Sequence, residues 1–68
     1  MRKAYYYSNS HIQNTIQSLD IPECDKHILH LRILDDRLIE DIPNLKKLPL
    51  VEFAANIKRL VKTLESVL

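Results

Sequence analysis

Three side chains able to bind a metal or move a proton stand at equal intervals in the segment CDKHILH: Cys24, His27 and His30. On a helix each step of three turns about −60° and climbs ~4.5 Å, so neighbours could share an ion, but all three around one ion would need the helix to bend. Histidine zinc pairs on a helix stand more often at i, i+4, and a closed structural zinc site needs four ligands. His11 could supply a fourth only if the first segment folds back over the second. The reading preferred here makes Cys24 a small core residue, places His27 at the core margin and leaves His30 solvated. A zinc-stabilised module on Cys24, His27 and His30 is the alternative, and no cofactor is expected.

Enzyme chemistry has less support. A thiolate is activated by a base that reaches the sulfur, and histidines three and six residues further along one helix are not so placed. Adjacent carboxylates, Asp35–Asp36 and Glu40–Asp41, read as a solvated helix face. A chain of 68 residues has little depth for a catalytic pocket, so a non-enzymatic role is expected.

These side chains must be positioned by helices. Glycine is absent from the sequence, which argues against tight hairpins and against phosphate-cradling loops. Pro22, Pro43 and Pro49 divide the chain into segments, and proline suits a helix start better than its interior. From Leu50 onward, Leu50, Phe53, Ile57, Leu60, Leu64 and Val67 recur in steps of three and four, widened by Ala54, Val61 and Leu68. Glu52, Lys58, Arg59, Lys62 and Glu65 take the opposite arc, which predicts an amphipathic helix. Uncharged heptad flanks favour a helical bundle over an exposed two-stranded zipper.

In the middle segment, HILHLRIL alternates like a short strand, but Cys24, Ile28, Leu31, Leu34, Leu38, Ile39 and Ile42 share one helical face. The spacing predicts a helix from about Pro22 to Asp41, supported by Arg32–Asp36 and Arg37–Asp41 pairs at i, i+4. Leu29 and Ile33 would then form a second apolar surface. The first segment predicts a short helix burying Ile12, Ile16 and Leu19, with Ser10 and Gln13 in capping-box spacing. The tyrosines at 5 to 7 read as an extra turn or an extended arm.

Net charge is +1, so no global field favours nucleic acid or a membrane surface. Residues 20 to 41 are acidic, whereas residues 44 to 62 carry Lys46, Lys47, Lys58, Arg59 and Lys62 against Glu52 alone. That basic set is the basis of a DNA-binding alternative; neutralising the acidic helix beside it is the plainer role. No apolar run approaches the ~20 residues of a membrane span, no signal-peptide core follows Arg2 and Lys3, and the single cysteine suits a reducing compartment. A cytoplasmic location is expected.

The reading is an all-α single domain over 1–68. It is a small three-helix bundle, or a helical hairpin plus a short N-terminal helix, completed by dimerisation. A domain this small buries only ~60% of its unfolded surface and usually needs a staple. Its expected role is a protein-interaction module, as regulator, inhibitor or assembly adaptor. Leu29 and Ile33, or the edge residues Val61 and Leu68, are expected at the contact with another protein or a second copy.

Overall fold

A computed structural model of the chain describes residues 6–68. These form three α-helices and two short helical turns in the order α1 (Asn9–Ser18), α2 (Glu23–Leu29), a π turn (His30–Leu34), a 3-10 turn (Ile39–Asp41) and α3 (Leu50–Val67). Among the described residues there is no strand. The Cα radius of gyration is 11.3 Å, close to the ~11 Å of a compact chain this long.

Helix α1 starts at Ser8, whose hydroxyl accepts from the His11 backbone N–H at 3.2 Å. The cap is therefore Ser8 and not Ser10. Ile12 and Ile16 are buried on its inner face, and Leu19 closes it. The last turn of α1 has no basic residue of its own. Lys26 supplies one from α2, its Nζ donating to the Gln17 carbonyl at 2.8 Å. A cation there satisfies a helix-end carbonyl and meets the negative end of the helix dipole.

Pro22 and Pro49 each stand immediately before a helix, with extended ψ, and their carbonyls accept the first helical hydrogen bonds. Proline loses nothing there, because the first N–H groups of a helix have no internal partner. Helix α3 follows the expected stripe: Phe53, Ile57, Leu60 and Leu64 are buried, and Ala54, Val61 and Leu68 lie half-buried at its edges. Leu50 and Val67, at its two ends, are exposed.

The expected long middle helix is corrected. It ends at Leu34. Beyond Leu29 the chain widens into the π turn, with the Asp35 N–H reaching back to the His30 carbonyl and the Arg37 N–H to the Leu31 carbonyl. Asp36 then takes a left-handed conformation, φ 52°, which a short polar side chain tolerates better than most. Arg32 fastens the reversal by donating to the Arg37 carbonyl at 2.9 Å, with its guanidinium 3.9 Å from the Asp36 carboxylate.

The alternating residues all go inward, Leu29 at the end of α2 and Leu31 and Ile33 within the π turn. Leu29, Leu31 and Ile33 are all buried, Leu29 completely. The second apolar surface expected on Leu29 and Ile33 is therefore part of the core of a single copy, and these two side chains are not available to a partner. The π turn packs against α1, and each of the three α-helices touches the other two. One core of twelve buried apolar residues, from Ile12 to Leu64, results. Leu38, placed by the sequence on the same buried face as Ile42, is instead exposed, whereas Ile42 remains in the core.

Candidate interaction surface

The loop from Pro43 to Pro49 is tied by several specific hydrogen bonds. The Asn44 side chain holds both backbone groups of Leu48: its Oδ1 accepts from the Leu48 N–H at 3.1 Å, and its Nδ2 donates to the Leu48 carbonyl at 2.6 Å. The Lys47 N–H donates to the Asn44 carbonyl, and Lys47 takes φ 52°. Asparagine is suited to this because its short amide mimics a turn of backbone. The loop is tied to α2 by Lys46, whose Nζ lies 3.0 Å from Oδ1 of Asp25. Asp25 is a buried charged residue, and the Cys24 thiol sits 3.9 Å from the same oxygen.

A loop fixed in this way turns Leu48 toward the core and leaves Leu45 in water at 67% exposure. Helix α3 begins two residues after Leu48, and its first two side chains, Leu50 and Val51, are 65% and 82% exposed. Large aliphatic groups in water are costly, about 25 cal/mol for each Å² left uncovered. Here three of them occupy seven consecutive residues at one end of α3, next to the exposed Lys47.

A second feature is a groove of about 160 Å³ between α3 and the turns that follow α2. It is lined by Ile39, Ile57 and Val61, with Arg32 and Lys58 supplying two cations.

The residues singled out from the sequence are dispersed. Cys24 is half-buried, His27 is exposed and His30 is half-buried, so the two histidines exchange the environments expected of them. The His30 imidazole lies 3.9 Å from Asp35, and His11 stacks on Tyr7 with ring centroids 5.0 Å apart. Among the described residues no group of three or more His, Cys, Asp and Glu side chains is arranged to hold a metal ion. Of the basic set, Lys46 is committed to Asp25 and Arg59 reaches Asn56 at 3.5 Å, while Lys47, Lys58 and Lys62 are exposed. Val61 and Leu68 lie half-buried against the core, Val61 forming one wall of the groove. Arg2, Lys3 and Tyr5 lie outside the described residues. Among the described residues no helix is long and apolar enough to cross a membrane.

The sequence reading put Leu50 on the apolar stripe and passed over Leu45 and Val51 as contact residues, although Val51 carries a signal. It falls on the polar arc of α3, away from the stripe. Nothing in the sequence marks Asp25 as buried, since its partner is 21 residues away.

No protein-family model matches this chain, and neither the curated proteins nor the solved structures contain one that matches it.

Proposed function

We propose that the chain is a small non-enzymatic protein-interaction module, a regulator, inhibitor or assembly adaptor, that grips another protein through the apolar end of α3. The observation carrying this is that Leu45, Leu50 and Val51 stay in water although twelve other apolar residues close a core in a single copy. Aliphatic groups left exposed so near one another in the chain are candidates for a contact surface. The loop that presents Leu45 is fixed by Asn44 and by the Lys46–Asp25 pair, so little conformational freedom is lost on binding. Exposed Lys47 beside the patch fits a partner surface with an apolar centre and an acidic rim. The groove is about half the ~300 Å³ at which small-molecule sites begin, which favours a contact role over catalysis.

The nucleic-acid alternative retains Lys47, Lys58, Arg59 and Lys62 but loses Lys46 to its buried carboxylate. Binding to phosphate would show a steep loss of affinity with salt. A photo-reactive amino acid at Val51 tests the protein-contact reading in cells. A discrete protein adduct is expected from position 51 and none from Gln13, exposed on α1. Equal labelling from both positions, or none from position 51, would contradict it.

A further inference from the structure

The groove lies beside an exposed aliphatic residue, Leu38, which immediately precedes the lining residue Ile39. The groove has an apolar floor of Ile39, Ile57 and Val61 and two cations, Arg32 and Lys58. Its volume, about 160 Å³, is that of a cavity taking a single benzene-sized group, ~150 Å³. One aliphatic side chain fills such a space, and a cofactor does not fit it.

Leu38 is such a side chain. It is 58% exposed and immediately precedes Ile39, one wall of the groove. It is also held in place, because Arg32, the cation lining the groove, donates to the carbonyl of Arg37, one residue earlier. Knob and socket are thus adjacent and share one guanidinium. Adjacency is what a two-fold contact requires: rotation about an axis between them puts each knob into the other copy's socket.

The charges agree. Residues 35 to 41, around the knob, carry Asp35, Asp36, Glu40 and Asp41 against Arg37 alone. The opposite wall carries Lys58, and Lys62 follows one turn later on the same face of α3. Within one copy only Asp36 among these acids meets the groove's cations, and that contact is a loose 3.9 Å to Arg32. A second copy would bring its acidic turn against the basic wall.

We infer that the groove of each copy receives Leu38 of a second copy, giving a symmetric dimer with the acidic 35–41 turn of one chain lying against Lys58 of the other. This rests on the reading that the exposed aliphatic groups of this fold are contact residues, but it uses a different face from Leu45, Leu50 and Val51. It also replaces the dimer expected through Leu29 and Ile33, which are buried in one copy. One aliphatic side chain in a shallow groove with a few ion pairs belongs with weak, transient contacts, so association in the micromolar range is expected.

Size exclusion coupled to light scattering at about 100 μM, between the millimolar and nanomolar regimes, should give twice the chain mass of 8.0 kDa. Leu38→Asp and Lys58→Glu should each weaken the dimer by about tenfold or more, equivalent to ~1.4 kcal/mol. Both positions are exposed, and circular dichroism checks that each variant keeps its helices. Added salt should also weaken the dimer. Leu50→Asp with Val51→Asp should leave it intact. A wild-type monomer overturns the inference and leaves the partner surface on α3 untouched. A dimer that survives both Leu38→Asp and Lys58→Glu, or is lost with the Leu50 and Val51 changes, overturns the proposed contact.

Discussion

The Nζ of Lys46 lies 3.0 Å from the Oδ1 of Asp25, joining an exposed loop to a buried carboxylate across 21 residues of sequence. Lysine tips are usually left in water. Here the pair holds the 43–49 loop against the first turn of α2, and with it the position of Leu45.

Lys46→Met should therefore destabilise the fold, because Asp25 loses its charged partner while remaining buried. The lysine is itself partly solvated, so the expected cost is about 1–2 kcal/mol, toward the lower part of the range for an unsatisfied buried group. Thermal unfolding followed by circular dichroism would show a fall of several degrees. Asp25→Asn with Lys46→Met should recover part of it. No fall in melting temperature would mean that the pair contributes nothing.

Leu29→Asp should unfold the chain, since Leu29 is fully buried and an unpaired charge in the core is strongly destabilising. Leu29→Ala alone should cost about 2–5 kcal/mol, a large share of what so small a domain possesses. Val51→Ala, at a residue 82% exposed, should fall within ~0.5 kcal/mol of wild type. Denaturant titration separates the two, and a folded Leu29→Asp variant would contradict the core assignment.

The contrast between Leu29 and Val51 shows what was legible in the sequence. Helix α3 could be read because its stripe keeps one period over eighteen residues, and α1 because Ile12, Ile16 and Leu19 are spaced for one face. The middle could not be read, because the π turn breaks the helical period at Leu31 and Ile33. Leu29 is still within the regular α2, whose buried face holds Asp25, Ile28 and Leu29 while Cys24 is half-buried, so it was misplaced by the choice of face. The stop at Asp36 is visible only once two consecutive aspartates are read as a site of left-handed backbone. The contact surface was hidden more deeply, since Leu45 is exposed because Asn44 grips Leu48, and no periodicity records that.

Ser8→Ala should cost about 1 kcal/mol through loss of the α1 cap, whose hydroxyl meets the His11 N–H. Ser10→Ala, already inside the helix, should be close to neutral or slightly stabilising, since alanine is the better helix former. Equal effects at both positions would place the helix start elsewhere.

Lys47→Gly should stabilise the chain. Lys47 is held at φ 52°, a conformation that costs a non-glycine residue roughly 1–2 kcal/mol, partly offset by the greater freedom of glycine when unfolded. A rise of about 0.5–1 kcal/mol is expected on balance. A lower melting temperature would mean that the lysine side chain stabilises the loop by more than its backbone strain costs.

The claim that the apolar end of α3 is a protein-contact surface is tested most directly by parallel capture from native lysate. The wild-type chain is compared with a variant carrying Leu50→Asp and Val51→Asp, and recovered proteins are quantified by mass spectrometry. Both side chains are exposed, so the variant should keep its helical circular dichroism and its melting temperature. The account predicts at least one protein recovered with the wild type and lost with the variant. The same proteins recovered in the same amounts by both, with both folded, would contradict it.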